Sequence, residues 1–272
     1  MALWRDAAGT GHSHAGPDAR VACLVPSITE LMFDLGLGAR LVGRTRYCIH
    51  PRGRVEDLPQ VGGTKQVRLE SLRALAPTHV VVNVDENTRE DVDALARFVP
   101  HVIVTHPIDP LDNLALYRML GGIFGAAGEA ERLCDRFGRG HRALAEAAQA
   151  LPHRRVLYLI WRKPWMTVGA DTYIARMLAL VRWQAAHEAQ GARYPRIELS
   201  PELAGRMDLI LLSTEPFPFD ADHVRSLREA LGPQAPPVRL IDGEMLSWYG
   251  SRAIAGLEYL GRFARDAFPE AA

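Results

Sequence analysis

The stretch RTRYCIHP, residues 44–51, brings three chemically active side chains together. Tyr47, Cys48 and His50 supply an aromatic ring, a thiol and an imidazole within four consecutive positions. Imidazole and thiolate are good ligands for cobalt, iron or zinc, and an aromatic ring can stack on a flat ligand. The stretch follows an apolar run and closes on Pro51, which indicates a loop.

Three interpretations of this loop remain open. In the first, Tyr47 stacks on a bulky ligand while His50 or Cys48 reaches its metal. In the second, Cys48, His50 and Glu86 form a bare metal site without an organic ligand. In the third, Cys48 is a buried apolar side chain, His50 bonds a loop carbonyl and only Tyr47 faces out, because free cysteine is among the most buried residue types. The C-x-H spacing does not choose among them.

Strand-like apolar runs alternate with helical segments on both sides of a helical middle region, a pattern that predicts parallel sheets. We predict an N-terminal α/β lobe over residues 21–108 and a C-terminal α/β lobe over 152–272. Residues 109–151 are predicted to be a helical linker whose backbone helix, 128–151, would span about 36 Å. Residues 1–20, rich in glycine, are predicted to be a disordered tail. LESLRALAPTHVVVN and LSPELAGRMDLILLS both predict a short helix before a buried strand, which favours one design for both lobes.

Composition excludes several classes of function. Lys+Arg and Asp+Glu both number 32, so no basic excess points to nucleic acid. The three cysteines contain no CxxC pair, and no apolar run is long enough to span a membrane. The N-terminus has no apolar signal-peptide core, which as written favours the cytoplasm. No nucleophile elbow, P-loop, GxGxxG or HExxH motif occurs, so we expect no enzyme.

Aromatic residues concentrate in five loops that follow predicted strands. The carboxyl ends of parallel strands are where open α/β lobes bind ligands. Seven of the 20 aromatic residues fall there: Tyr47, Trp161, Trp165, Phe217, Phe219, Trp248 and Tyr249. Exposed rings in loops are covered in one of two ways, by a flat ligand or by packing against the lobe end. We expect a flat ligand to cover Trp161, Trp165 and Trp248. For Phe217 and Phe219, cover by a ligand and packing against the lobe end remain equally open.

Polar residues of the same loops are candidates for the rim of a ligand. Glu86 and Asn87 follow the strand THVVVNV, where capping of the next helix is the alternative role for Asn87. Arg252, in the loop with Trp248 and Tyr249, is suited to an anionic group or to the surface of a first helical turn.

The segments CLVPSITELMFDLGLGARLVGRTRYCIHP and LPQVGGTKQVRLESLRALAPTHVVV resemble the helical-backbone class of substrate-binding proteins of ABC importers. The segments YLIWRKPWMTVGADTYI and IDGEMLSWYGSRAIAGL resemble a branch of that class described as cobalamin-binding proteins or helical-backbone metal receptors. The resemblance runs from about Val21 to Phe268.

The resemblance implies two Rossmann-like lobes, a long backbone helix joining them, and a ligand cleft between the lobes. It implies a metal chelate as the ligand, either a corrinoid such as cobalamin or an iron–siderophore complex or haem, with no required cofactor. It also implies a periplasmic protein that docks on importer permease subunits through one glutamate of each lobe. Glu70 matches the first position, and Glu202 lies near the second but out of register. The alternative is a cytosolic metal-binding protein or metallochaperone that uses Cys48, His50 and Glu86.

Overall fold

The chain forms two compact units, which we call unit 1 and unit 2. The computed structural model describes residues 3–186 and 191–268. Unit 1 comprises Met1–Pro107, Leu111–Phe137 and Tyr249–Arg252, and unit 2 comprises Ile108–Pro110, Gly138–Trp248 and Ala253–Ala272. A four-residue piece of the C-terminal sequence therefore belongs to unit 1.

Unit 1 is built on a four-stranded parallel sheet of order β4-β3-β7-β8. Its strands are β1 (Trp4–Arg5), β2 (Gly11–His12), β3 (Val21–Cys23), β4 (Leu41–Arg44), β5 (Gly62–Gly63), β6 (Gln66–Val67), β7 (His79–Asn83) and β8 (His101–Thr105). Its helices are α1 (Pro26–Asp34), the 3-10 turn Gly38–Arg40, α2 (Leu69–Ala74), α3 (Arg89–Leu95) and α4 (Asp112–Ile123). Buried aliphatic side chains such as Ala22, Val80 and Val82 form the core, as the uninterrupted apolar runs predict.

Helix α5 (Ala127–Ala148) begins in unit 1 and ends in unit 2. The long helix expected over 128–151 is thus present, and its 22 residues correspond to about 33 Å. Among the described residues, no helix combines the length and apolar character needed to cross a membrane.

Unit 2 carries a mixed sheet in which β9, β13, β14 and β11 run parallel. Its strands are β9 (Arg154–Trp161), β10 (Trp165–Thr167), β11 (Trp183–Ala185), β12 (Arg196–Ile197), β13 (Leu209–Ser213) and β14 (Val238–Ile241). Its helices are α6 (Tyr173–Ala179), α7 (Pro201–Gly205), α8 (Ala221–Leu231), α9 (Gly243–Ser247) and α10 (Arg252–Asp266), the first residue of which belongs to unit 1. Leu157, Ile210 and Leu212 lie in its core.

The two units share one design, as predicted. The parallel order β4-β3-β7-β8 of unit 1 corresponds to β11-β9-β13-β14 of unit 2. Helix α2 precedes β7, which pairs with β3, and helix α7 precedes β13, which pairs with β9. Unit 2 differs by the added strands β10 and β12, which pair antiparallel beyond β9.

The prediction of a disordered tail over residues 1–20 is wrong for residues 3–20. Strands β1 and β2 form a hairpin whose Asp6 carboxylate accepts hydrogen bonds from the backbone of Thr10 and of Val104, at 2.9 and 3.0 Å. The Trp4 ring lies where a Cβ on Gly122 would be, about 2.1 Å from its nearest atom, so only glycine fits in α4 at that point. The segment packs because it satisfies donors of the β8 edge, which its glycine-rich composition did not indicate.

Four histidines line a cavity of about 350 Å³ next to this hairpin. They are His12, His14, His79 and His101. The rings of His79 and His101 stack with centroids 4.6 Å apart, and His12 lies 3.0 Å from the Asp6 carboxylate. Burial, together with the neighbouring His101, His12 and Arg40, lowers the pKa of His79 to about 4.

Unit 1 should lose stability in mild acid through His79. The unfolded chain takes up the proton near pH 6.5 and the folded chain only near pH 4, so the stabilisation is complete above 6.5 and is lost as pH falls toward 4. We expect the loss to be on the order of 2–3 kcal/mol from this residue. Urea unfolding at pH 7.5 and 4.5 measures it, and the variant His79→Gln should lose correspondingly less. An equal acid sensitivity in both proteins would contradict this assignment.

Candidate ligand-binding site

Exposed apolar side chains gather where the strands of unit 1 end. Tyr47 and Ile49 follow β4, and Val84 follows β7; Tyr47 is 48% exposed and Val84 50% exposed. Because the sheet is parallel, these loops leave the same edge. The Arg46 guanidinium lies over the Tyr47 ring, 4.9 Å from its centroid, and donates to the phenol oxygen at 3.0 Å. Tyr47 is therefore placed at an exposed edge as predicted, whereas two apolar residues were missed: Ile49, in the same loop, and Val84, which directly follows β7.

Cys48 has no access to a ligand, so its predicted role as a metal ligand is wrong. Its side chain is fully buried, and its sulfur accepts a hydrogen bond from the Thr29 hydroxyl at 3.2 Å. Burial raises the pKa of the thiol, which keeps it from becoming the thiolate that binds metals. For Cys48, the third interpretation, a buried apolar side chain, is therefore the correct one.

The bare metal site of Cys48, His50 and Glu86 is likewise contradicted. Within residues 3–186 and 191–268, no group of three or more His, Cys, Asp or Glu side chains is arranged to hold a metal ion. His50 stays a half-buried imidazole in the loop of Tyr47.

Glu86 is held by a residue 163 positions away. The Tyr249 hydroxyl donates to its carboxylate at 2.7 Å, and burial beside Glu86 raises the pKa of Tyr249 well above its usual value. The neighbouring Asp85 carboxylate lies 3.7 Å from His106, which follows β8. Tyr249, expected to face a ligand, is only 6% exposed and serves instead to position Glu86.

Asn87 is committed to unit 1. Its side-chain oxygen accepts from the backbone of Asn83 at 2.8 Å, and its amide donates to the carbonyl of Thr64 at 2.8 Å. The expected contact with a ligand is therefore wrong for Asn87, which ties two loops together. The cap of helix α3 is the next residue, Thr88.

Arg252 also has a structural partner. Its guanidinium makes a two-pronged pair with Glu30 of α1, at 2.8 and 2.7 Å, and both side chains are largely buried. The preceding Gly250 donates to Asn113 at 2.6 Å and accepts from Tyr117 at 2.8 Å. These bonds fix the segment Tyr249–Arg252 in unit 1, so neither role expected for Arg252, an anionic ligand or the open surface, is correct.

In unit 2, Trp161 is an exposed ring at the end of a strand. It ends β9 and is 39% exposed, with its ring edge-on to Phe217 at 5.6 Å. Trp165, at the start of β10, stacks on Phe219 with centroids 6.0 Å apart. Phe217 and Phe219 pack against the core of unit 2, so packing against the lobe end is the correct alternative for both. Trp165 also packs against this core.

Trp248 is not exposed either. It is 7% exposed, and its indole donates to the Glu215 carboxylate at 2.8 Å, while the Ser247 hydroxyl donates to the same oxygen at 2.6 Å. Burial raises the pKa of Glu215. Trp248 therefore positions Glu215, which follows β13, and does not offer its face to a ligand as expected.

A profile described as Periplasmic binding protein matches residues 21–226.

The chain belongs to the periplasmic binding protein family.

Similar sequences and structures lie within the same group. The Vitamin B12-binding protein of Vibrio campbellii is 22% identical over 73% of this chain and 72% of its own length, and that of Pectobacterium carotovorum is 23% identical over 89% and 86%. The periplasmic vitamin B12 binding protein BtuF of Vibrio cholerae superposes with a TM-score of 0.80 at 17% identity, over 92% of this chain and 98% of its own. The periplasmic heme-binding protein RhuT of Roseiflexus sp. RS-1 gives 0.78 at 23%, over 92% and 99%. These structures establish the two-lobed α/β fold.

Glu70 and Glu202 occupy matching positions in the helices of this binding protein. Each is the second residue of a short helix, α2 in unit 1 and α7 in unit 2, and each carboxylate is exposed. Counting from the strands had placed Glu202 out of register. Counting from the helix start removes the discrepancy, because α7 and the connection that follows it are each one residue shorter than their counterparts in unit 1.

We expect the ion pair of Arg252 and Glu30 to stabilise unit 1. We expect Arg252→Ala to lower the free energy of unfolding by about 3 kcal/mol, because it leaves the Glu30 carboxylate without its partner in a largely buried place. The double variant Glu30→Ala/Arg252→Ala should recover part of that loss. Chemical unfolding of the four proteins of this cycle measures it, and additive single effects would contradict the pairing.

Proposed function

We propose that this periplasmic binding protein carries a metal chelate of the corrin or porphyrin class to an ABC importer. The observation that carries the proposal is the location of exposed apolar side chains. Seven large apolar side chains are exposed in the described parts of the chain, and four of them lie at the carboxyl end of a strand or in the loop that follows it: Tyr47, Ile49, Val84 and Trp161. Exposed apolar groups of this kind are typical of ligand-binding surfaces.

A flat chelate suits these groups for a physical reason. Tyr47 and Trp161 each offer a ring to solvent, and a stacked macrocycle contributes about 0.5–1.5 kcal/mol per ring beyond the burial of apolar area. Ile49 and Val84 add aliphatic area beside Tyr47. His50, in the same loop as Tyr47, is the imidazole that we assign to the metal of the chelate. Cobalamin and haem, the ligands named for the similar proteins, are both flat metal chelates.

We assign no catalysis to the site. The carboxylates that follow β7 and β13 are engaged by aromatic hydroxyl, indole and imidazole groups. The family match supports export to the periplasm, in place of the cytoplasmic location that the N-terminal residues favoured. We further propose that Glu70 and Glu202 dock on the permease subunits of the importer.

Loss of an exposed ring should weaken chelate binding. We expect Tyr47→Ala and Trp161→Ala each to reduce affinity for hemin or cyanocobalamin about tenfold, the equivalent of ~1.4 kcal/mol, because each removes one stacked ring. Quenching of tryptophan fluorescence in a titration measures it, with Trp4→Phe in the N-terminal hairpin as the control. Unchanged affinity in both alanine variants, or no binding of either chelate to the wild type, would contradict the proposal.

Charge reversal at the two helix starts tests the docking role. The variant Glu70→Lys/Glu202→Lys should bind chelate as the wild type does, because neither residue lies at the carboxyl ends of the strands. It should no longer co-sediment with vesicles that contain the importer. Retained co-sedimentation of this variant would argue against docking through these residues, and Glu56→Lys/Glu229→Lys, with two other exposed acids changed, is the matched control.

A further inference from the structure

The cavity with four histidines has two walls, and both belong to unit 1. One wall is formed by the N-terminal segment, through residues 12–16, Asp18 and Ala19. The other is formed by residues 78–79 and 100–101, where the parallel strands β7 and β8 begin. The cavity therefore lies at the amino ends of these strands, at the opposite edge of the sheet from Val84 and the proposed ligand site.

The N-terminal segment, residues 3–19, covers this edge without joining the parallel sheet. Its backbone donates from Ala7 to Val104 at 2.9 Å and from Ala15 to Ile123 at 2.7 Å, and the carbonyl of Gly16 accepts from Arg40 at 3.3 Å. The Trp4 ring against Gly122 of α4 supplies its large apolar contact. Because the ladder of β3, β4, β7 and β8 is complete without this segment, its release leaves the sheet intact.

His79 is the buried group of the cavity. It is 7% exposed, its ring stacks on that of His101, and the Phe124 ring stands edge-on to it at 5.3 Å. The titratable and charged groups around it are His12, His14, Asp18, Arg40 and His101. The Asp6 carboxylate next to His12 is already engaged by that imidazole and by the backbone of Ala8, Thr10 and Val104. A proton on His79 therefore meets mainly other imidazoles and a guanidinium while the segment is in place.

We infer that the N-terminal segment is an acid-released strap. In mild acid it separates from the amino ends of β7 and β8, His79 takes up a proton in contact with water, and the sheet of unit 1 stays folded. This device depends neither on a ligand nor on the proposed function.

The direction of the response follows from the two forms of the segment. With the segment in place, burial and the neighbouring His101, His12 and Arg40 hold the pKa of His79 at about 4, and release returns it toward the ordinary value of 6.5. At neutral pH the imidazole is uncharged in both forms, so protonation does not favour release. Each pH unit below 6.5 then favours the released form about tenfold, up to roughly 300-fold near pH 4.

The test follows the strap and the core of unit 1 separately. Trp4 is the one tryptophan of unit 1, since the others are Trp161, Trp165, Trp183 and Trp248. In protein labelled with 5-fluorotryptophan, Trp4→Phe identifies the fluorine resonance of Trp4. The thiols of Cys23 and Cys48, buried in unit 1, report the core through their reaction with 4,4′-dithiodipyridine, which modifies thiols in acid.

Between pH 7 and pH 4.5 we expect the Trp4 resonance to move to the position of a solvent-exposed indole. Over the same range, both thiols should stay protected in comparison with protein unfolded in urea at the same pH. A Trp4 resonance that keeps its neutral position at pH 4.5 would overturn the inference. Release of Trp4 together with exposure of the two thiols would also overturn it, because the whole of unit 1 would then have unfolded.

Histidine variants test whether the cavity drives the release. His79→Gln cannot take up the proton and should keep Trp4 packed throughout, whereas release in this variant would assign the response to Asp6 and contradict the inference. His101→Gln changes an exposed side chain and should move the midpoint of release to lower pH, because it removes a neighbour that disfavours the charged form of His79. His153→Gln, an exposed histidine of unit 2, is the matched control and should behave as the wild type does. An unchanged midpoint in His101→Gln would count against the inference even if His79→Gln does not fold.

Discussion

Parallel pairing of the strands is the constraint on which the site depends. In unit 1, β7 and β8 are paired from His79 and His101 to Asn83 and Thr105, so both strands end at the same level of the sheet. In unit 2, β13 and β14 are in register up to Ser213 and Ile241. Because a parallel ladder places all carboxyl ends on one edge, residues far apart in sequence become neighbours there.

Side chains at the strand ends differ in whether other groups of the protein cover them. Val80, Val81 and Val82 are buried inside the sheet, but Val84, two residues beyond, is half exposed. Carboxylates at such edges are not left to solvent: in unit 1 Glu86 is held by the Tyr249 hydroxyl, and in unit 2 Glu215 is held by the Trp248 indole. The large apolar side chains that stay exposed at the strand ends of each unit suit the face of a flat molecule.

Local patterns predicted most of the fold and part of the site. Apolar runs between helical segments identified the parallel strands, and position after a strand correctly placed Tyr47 and Trp161 at exposed edges. The same rule placed Trp248, Tyr249 and Arg252 there, yet their polar groups are satisfied by partners that no local pattern reveals. Arg252 and Glu30 are 222 residues apart, and Tyr249 and Glu86 are 163 apart. The N-terminal hairpin was missed for the same reason, since its Asp6 bonds to Val104 of β8.

The most direct test of the account uses the two lysines of the chain, Lys65 and Lys163. One lies near Tyr47 and the other two residues after Trp161, so each lysine reports whether a chelate covers the ring beside it. Acetylation by an N-hydroxysuccinimide ester, followed by mass spectrometry, gives the rate at each lysine with and without saturating hemin, with cyanocobalamin in parallel. We expect a severalfold slower reaction at Lys65, at Lys163 or at both in the presence of the chelate that binds. Unchanged rates at both lysines while the chelate is demonstrably bound would contradict it.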